Sequence, residues 1–297
     1  FSVDGIRLAA VAANIRYKER PDLVLIEIAA GSVVSGVFTQ NAFCAAPVIV
    51  ARNHLAQSSS QFFLINTGNA NAGTGETGET DALRCCNAVA DLAGNESWQV
   101  LPFSTGVIGE KLPVERIINS LPNAFQKLTD SNWGLAAQGI LTTDTRPKLS
   151  SAQVSIDDQV VTITGLAKGA GMIKPNMATM LSYVFTDACI DQKSLDGFLR
   201  EAVNLSFNRL TVDGDTSTND CCMLTATGLS GVMISDIEDD ACQKFKEALL
   251  GVFLELATNL IKDAEGATKF VTVEVNRGKD EQECLQVAYC IAESPLV

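Results

Sequence analysis

The chain has 297 residues, of which 46% are hydrophobic and 19% charged, and its formal net charge is −13. This balance is typical of a globular protein with one large domain or two ordinary ones. The negative charge argues against nucleic-acid and anionic-membrane partners, because both bind basic surfaces. No apolar run approaches the roughly 20 residues that a membrane span requires.

The first third of the chain predicts short strands followed by a helix. The expected strands are residues 8–13, 23–28, 33–39, 47–51 and 61–66, and the helix covers about residues 80–93. Gly68 and Gly73 have the spacing of a phosphate-binding loop, but Thr74 stands where its lysine belongs. A structural turn or an acyl-substrate loop is therefore the better interpretation.

The next strand, within residues 99–109, ends in a glycine-flanked turn at Thr105 and Gly106. Backbone N–H groups in such a turn are suited to stabilising an oxyanion, although an ordinary strand-to-helix turn has the same sequence pattern. A helix is expected to begin at Pro113 and to stop at Pro122.

The remaining elements are predicted from hydrophobic periodicity. They are a short helix or loop at 133–140, a hairpin of strands 152–156 and 160–166, a strand at 180–186, helices at 194–206 and 239–262, and strands at 271–275 and 284–292. Thr142 and Thr143 belong to a polar cluster that either binds an amino-acid substrate or forms a turn. The acidic loop 210–220 resembles the start of a calcium-binding loop, but Thr218 and Leu224 occupy required Gly and Glu positions.

The cysteines and the single histidine limit the chemistry. The nine cysteines include two adjacent pairs and no C-x-x-C spacing, which favours buried free thiols in a reducing compartment over disulfides or a zinc site. His54 lies in a predicted helix start or turn, and we expect a structural or surface role for it. An N-terminal amine is then the most natural base at neutral pH.

A glycine-rich loop beginning at Lys168 leads through Pro175 to Ala178 and Thr179, directly before the predicted strand 180–186. The hydroxyl of Thr179 is placed to attack the carbonyl of Ala178, and hydrolysis of the resulting ester would leave Thr179 as a new N-terminus. Its α-amine, with a pKa of about 7.7–8.0, would then serve as base for its own hydroxyl. The alternative interpretation is a surface loop that feeds a core strand.

The segment from Lys168 to Leu181 resembles the cleavage segment of the ornithine acetyltransferases, the glutamate N-acetyltransferase family called ArgJ. Six further blocks match in the family's order: residues 66–72, 104–109, 142–145, 211–220, 265–269 and 294–297. The resemblance implies an α+β fold, a layered αββα sandwich of the N-terminal-nucleophile-like type. It also implies cleavage between Ala178 and Thr179, Thr179 as nucleophile, and Thr105 and Gly106 as the oxyanion hole.

The same resemblance implies substrate binding by Lys168, Glu265 and Thr143, with Thr142 as the near alternative to Thr143. Residues 1–178 and 179–297 would form two chains interleaved in one fold, and the loop 210–220 would pack near the active site. In the family, the chain continues beyond residues 294–297, and an Asn and a Ser or Thr from that continuation complete the substrate site.

The implied reaction moves acetyl from N2-acetylornithine to glutamate in arginine biosynthesis, by a ping-pong mechanism through acetyl-threonine. No metal or organic cofactor is expected, and acetyl-CoA is a second donor if the enzyme is of the bifunctional type. We expect a heterotetramer of two α and two β chains in the cytoplasm, or in the mitochondrial matrix of a eukaryote. Two alternatives stay open: an N-terminal-nucleophile aminopeptidase or amidase, and a non-catalytic truncated homologue that binds or assembles.

Overall fold

The computed structural model describes residues 1–57, 60–156, 158–174, 180–235 and 239–296. Its first sheet has four strands in the order β1-β2-β4-β5. These are β1 (Ile6–Val11), β2 (Leu23–Ile28), β4 (Phe62–Asn69) and β5 (Val100–Val107). β1, β2 and β4 pair antiparallel, whereas β4 and β5 pair parallel.

The second sheet has five strands in the order β3-β10-β8-β7-β6. These are β3 (Val33–Phe38), β6 (Lys148–Ile156), β7 (Gln159–Lys168), β8 (Leu181–Thr186) and β10 (Cys221–Ala226). β8 pairs parallel with β10 and antiparallel with β7, and both pairings extend over its six residues. A separate two-stranded sheet joins β9 (Cys189–Ile190) and β11 (Met233–Ile234).

The described chain also has seven α-helices. They are α1 (Ala46–Leu55), α2 (Gly75–Ala93), α3 (Val114–Gln126), α4 (Trp133–Gly139), α5 (Gln192–Leu205), α6 (Asp240–Lys262) and α7 (Glu281–Ala292). Three of these helices have an aspartate N-cap. The side chains of Asp191, Asp239 and Asp280 each accept a hydrogen bond from a backbone N–H of the first turn, which has no partner within the helix. Within the described ranges, no helix is long and apolar enough to cross a bilayer.

The two large sheets pack face to face through aromatic side chains. Phe63 and Phe103 of the first sheet contact Tyr183 of the second, with ring centroids 5.8 and 5.2 Å apart. The outer face of the first sheet buries β2 side chains against α2 and α3, and the outer face of the second buries β7 and β8 side chains against α5 and α6. The predicted αββα sandwich is therefore confirmed.

Most predicted elements are present, but two proline interpretations were wrong. Residues 47–51 form part of α1 instead of a strand, because Pro47 occupies the first turn of that helix, where its missing N–H is harmless. Pro122 does not stop α3, which continues to Gln126. Here the buried contacts of Leu121 and Ala124 outweigh the one backbone hydrogen bond that the proline removes.

Both predicted C-terminal strands were also wrong. Residues 271–275 have no regular secondary structure, and no described strand pairs with them, so their alternating valines do not enter a sheet. Residues 284–292 are helical within α7. The side chain of Asp280 accepts from the N–H of Glu283 and starts this helix, and that Asp-x-x-Glu pattern is the signal that the prediction missed.

Candidate active site

A cleft of about 400 Å³ opens where β5 and β7 end and where β8 and β10 begin. It is lined by all the predicted site residues that the structure describes: Thr105, Gly106, Thr142, Thr143, Lys168 and Glu265. Ala178 and Thr179 lie outside the described residues. Met180, the residue bonded to Thr179, also lines this cleft. Segments far apart in sequence thus meet at one place, while the role of each residue stays a prediction.

The turn at Gly106 admits no side chain. Its φ is 136°, and a Cβ built there would lie 2.3 Å from the carbonyl carbon of Gly68 and 2.5 Å from the nitrogen of Asn69. The cause is an irregularity in the pairing of β4 with β5, which brings the two backbones together at this point. Gly106 is exposed to the cleft, as a backbone donor for an oxyanion has to be.

The hydroxyl of Thr105 is held by Lys168. Thr105 is buried, and its Oγ1 accepts a hydrogen bond of 3.0 Å from the Lys168 ammonium. Because a lysine ammonium only donates, the hydroxyl hydrogen of Thr105 is not used in this contact and stays available to a second acceptor. Burial lowers the pKa of Lys168 below its usual value, and the carboxyls of Asp144 and Asp220 offset only part of that effect.

A buried ion cluster of Lys148, Asp144 and Asp263 lies next to Lys168. Lys148 is fully buried and donates to both Asp144 and Asp263, the latter at the C-terminal end of α6. Asp144 also accepts from the backbone N–H of Gly169 at 2.7 Å. Burial raises the pKa of Asp144, but the ammonium groups of Lys168 and Lys148 bring it below its usual value. For Asp263, hydrogen bonds from Lys148 and Thr145 likewise outweigh burial and lower the pKa.

The glycine-rich loop after Lys168 is fastened by two acidic residues. Asp213 accepts from the backbone N–H groups of Met172 and Ile173, at 2.6 and 2.8 Å. The N–H of Glu265 donates to Ala170 at 2.7 Å, and its exposed carboxylate lies over Gly171, where a Cβ would meet it at 2.9 Å. Glu265 therefore presents a solvated carboxylate at one wall of the cleft.

The loop 210–220 packs against the cleft, as predicted. Asn219 donates from its side chain to the carbonyls of Ala70 and Ser104, at 2.6 and 2.9 Å, and so joins this loop to the first sheet. Sequence analysis assigned no role to Asp144, Asp213, Asn219 or Asp220. For Asn219 and Asp220 the available signal was their position directly before the buried strand β10, from which polar side chains reach a sheet edge.

His54 and the cysteines take no part in the cleft. His54 is buried in α1, and its Nδ1 lies 2.8 Å from the carbonyl of Val100, which confirms a structural role. All nine cysteines are free thiols, and both adjacent pairs are buried, as expected. Among the described residues, no group of three or more His, Cys, Asp or Glu is arranged to hold a metal ion. The expectation that no cofactor is needed stays a prediction.

The ArgJ family model matches residues 7–297. The arginine biosynthesis bifunctional protein ArgJ of Psychrobacter arcticus is 53% identical over 298 residues, which cover 100% of this chain and 73% of the relative. The arginine biosynthesis bifunctional protein ArgJ of Pseudomonas syringae is 52% identical over 296 residues, which cover 99% of this chain and 73% of the relative. The chain belongs to the ArgJ family.

Solved structures agree with this assignment. Arginine biosynthesis bifunctional protein ArgJ of Bacillus halodurans superposes with a TM-score of 0.56 at 34% identity, over 60% of this chain and 95% of the solved one. Ornithine acetyltransferase of Mycobacterium tuberculosis, solved with ornithine, gives 0.53 at 30% identity, over 60% and 93%. An aminopeptidase of Ochrobactrum anthropi, described as a variant of the Ntn hydrolase fold, gives 0.51 at 11% identity and so supports the fold alone.

The predicted family and the predicted fold are thereby confirmed. The prediction of an ornithine acetyltransferase-type enzyme is also confirmed, at the level of the ArgJ family. The division into chains and the individual site roles stay predictions.

Proposed function

We propose that this chain transfers acetyl from N2-acetylornithine to glutamate, through an acetyl ester on Thr179 that follows self-cleavage between Ala178 and Thr179. One observation carries the proposal. Six predicted site residues from four separate stretches of sequence line a single cleft together with Met180, the neighbour of Thr179. The relatives named for arginine biosynthesis, and the related enzyme solved with ornithine, support the choice of substrates.

The α-amine of Thr179 takes the proton from its own hydroxyl while Oγ attacks the acetyl carbonyl of acetylornithine. Thr105 and Gly106 stabilise the oxyanion, with the free hydroxyl hydrogen of Thr105 and the N–H of Gly106 as donors. The intermediate collapses, the bond to the ornithine nitrogen breaks, and that nitrogen receives the proton. The amine of glutamate then attacks the carbonyl carbon of the acetyl ester, and the bond from that carbon to Thr179 Oγ breaks. The oxygen takes up the proton that the amine loses, and N-acetylglutamate leaves.

Two charged residues that line the cleft bind the ends of the substrate. The Lys168 ammonium is partly buried and suited to an amino-acid carboxylate, whereas the exposed Glu265 carboxylate suits the side-chain ammonium of ornithine. Thr143, or its neighbour Thr142, adds a hydroxyl contact. Both threonines line the cleft, and Thr143 is the more exposed of the two.

Self-cleavage would give chains of 178 and 119 residues. The matches to the two solved ArgJ-type chains are consistent with it: each solved chain is almost completely covered by 60% of this one. Residues 1–178 are that same share of 297. The proposal includes a molecule of two α and two β chains, which native mass spectrometry would test.

The relatives carry the word bifunctional in their names, which supports a second activity. We assign to it acetyl transfer from acetyl-CoA to glutamate through the same acetyl-threonine. No separate nucleophile is then required, because the two donors acylate one hydroxyl.

The test combines a denaturing gel with a labelled-acceptor assay. Purified protein should show two bands and should convert acetylornithine and isotope-labelled glutamate into ornithine and labelled N-acetylglutamate. Thr179→Ala should stay one band without transfer, whereas Thr80→Ala, which changes an exposed threonine of α2, should behave as wild type. Release of free acetate without labelled product would favour the aminopeptidase or amidase alternative, and an uncleaved, inactive wild type would favour the non-catalytic one.

A further inference from the structure

Asn219 is a buried side chain beside the turn of Thr105 and Gly106, which we call the oxyanion turn. It is 6% exposed and lies two residues before β10. Its Nδ2 donates to the carbonyl of Ser104 at 2.9 Å and to the carbonyl of Ala70 at 2.6 Å. An amide nitrogen carries two hydrogens, so main-chain carbonyls use both donors and neither is left for a substrate.

These hydrogen bonds fix the main chain on both sides of the oxyanion turn. Ser104 directly precedes the turn, and Val107 directly follows it. The carbonyl of Ser104 accepts from Asn219 itself. The carbonyl of Val107 accepts from the N–H of Ala70 at 2.9 Å, and the carbonyl of Ala70 accepts from Asn219. One amide thus holds both ends of the turn, directly at one end and through a single residue at the other.

The ladder of β4 and β5 is irregular at the same place. Its register shifts at Asn69, which lies opposite both Thr105 and Val107. A bulge disrupts the ladder locally, so contacts from outside the two strands have to fix the peptide planes there. Because a peptide unit is planar, the direction of the Gly106 N–H depends on how its own peptide plane is held.

Asn219 is itself held in one orientation. Its Oδ1 accepts from the hydroxyl of Thr218 at 2.6 Å. The carbonyl of Thr218 accepts from the N–H of Ala45, and the carbonyl of Asp220 accepts from the N–H of Thr39, both at 2.9 Å. A side chain can position a reactive group only when its own conformation is fixed, and these contacts satisfy that condition.

We propose that Asn219 is a positioning residue for acetyl transfer, which sets the direction of the Gly106 N–H. It acts through the main chain and does not touch the acetyl group. Donors stabilise an oxyanion only when they are aimed at the place where its charge develops, and a displacement of about 1 Å can cost about 10²-fold in rate. This inference rests on the proposed function, because it takes the oxyanion turn to serve acetyl transfer.

The position of Asn219 in the sequence gives the proposal a further consequence. Asn219 follows the predicted cleavage point, whereas the oxyanion turn precedes it. In the cleaved protein, one chain would therefore position the oxyanion donors of the other.

The experiment compares Asn219→Ala with a matched variant, Asn132→Ala. Asn132 also donates from Nδ2 to two backbone carbonyls, those of Leu8 and Lys127, both at 3.1 Å. It precedes α4 and lies outside the described lining of the cleft. Each variant therefore loses two side-chain hydrogen bonds to the main chain, but only Asn219→Ala loses them at the oxyanion turn. Thermal unfolding should show that both proteins are folded.

Two quantities separate positioning from general structural support. The first is the rate constant of ornithine release in a single turnover at saturating acetylornithine, expressed per cleaved chain on a denaturing gel. The second is the Kd of ornithine by calorimetry. Asn219→Ala should lower the rate constant about 10²-fold and leave the Kd nearly unchanged, because the charge that the turn stabilises exists only in the transition state. Asn132→Ala should match wild type in both quantities.

Asn219→Ser gives a second measurement that does not depend on the alanine variant folding. Its hydroxyl has one hydrogen and can keep one of the two contacts, so its rate constant should lie between those of wild type and Asn219→Ala. A wild-type rate constant in either Asn219 variant, or an equal loss in Asn132→Ala, would overturn the proposal. So would a folded Asn219 variant that stays uncleaved, because the proposal gives Asn219 no part in cleavage. A wild type that transfers no acetyl contradicts the proposed function instead.

Discussion

Gly106 shows how one residue type is required by backbone geometry alone. A positive φ of 136° is accessible to glycine, and the backbone of Gly68 and Asn69 fills the space where a side chain would begin. The sequence presents this residue only as one glycine of a polar turn, because the approach of β4 to β5 is set by strands that are about 40 residues apart.

Gly106→Ala should therefore impair folding and activity together. Backbone strain and overpacking predict a loss of about 2–4 kcal/mol in the free energy of unfolding. Acetyl transfer should fall at least about 10²-fold, because the backbone donor shifts. Gly251→Ala is the matched control: it lies exposed inside α6 with open space around its Cβ position and should stabilise by about 0.5–1 kcal/mol. Urea unfolding and steady-state kinetics measure both, and equal stability of the two variants would contradict the argument.

At the scale of elements, the cluster of Lys148 with Asp144 and Asp263 joins three parts of the fold. Lys148 begins β6, Asp263 follows α6, and Asp144 holds the N–H of Gly169 at the end of β7. Lys148 is shared by two carboxylates, and Lys168 near Asp144 and Arg146 near Asp263 offset the remaining negative charge, whereas removal of Lys148 leaves two buried anions close together.

Lys148→Met should cost about 3–5 kcal/mol of the free energy of unfolding at neutral pH. The cluster lowers the pKa of Asp144 and of Asp263, so its stabilisation is present above about pH 4, the ordinary Asp range, and is lost as pH falls further. The deficit of the variant should shrink in the same direction, because protonated carboxyls no longer need the lysine. Arg7→Met, which breaks the exposed Arg7–Glu27 pair, should cost less than about 1 kcal/mol at every pH. Thermal unfolding from pH 7 to pH 3 tests this, and a deficit that grows on acidification would contradict it.

Elements with a strong local sequence signal were predictable from the sequence. Elements whose formation depends on contacts with distant segments were not. Residues 23–28 were predicted as a strand with the observed bounds because Leu and Ile dominate a short run between turns. The alternating valines of 271–275 carry the same kind of signal, but a strand also needs a neighbour to pair with, and the described chain provides none there.

The site divides in a similar way. Thr105, Lys168 and Glu265 came from motif resemblance and meet in the cleft. The contact of Lys148 with Asp263 spans 115 residues, and the place of Asp220 depends on the register of β8 with β10. No local pattern encodes either one, because both arise when distant segments pack.

At the scale of the whole molecule, the second sheet combines strands from both sides of the predicted cleavage point. β3, β6 and β7 precede residue 179, whereas β8 and β10 follow it. Two junctions, β3 with β10 and β7 with β8, therefore cross between the two predicted chains, and each is paired over six residues. The core between the sheets also mixes them, since Phe63 and Phe103 contact Tyr183.

We therefore expect the two chains to stay together after cleavage. They should co-elute in native size-exclusion chromatography and separate only in denaturant, because leaving the sheet would expose two strand edges and the aromatic core. The midpoint of urea unfolding should rise with protein concentration for the cleaved protein, since unfolding then releases two molecules, but not for Thr179→Ala, in which the chain stays covalent. That variant also serves as the control for native shape by near-ultraviolet circular dichroism. Separate elution of the 178-residue and 119-residue chains without denaturant would show that the interleaved sheet does not hold them together.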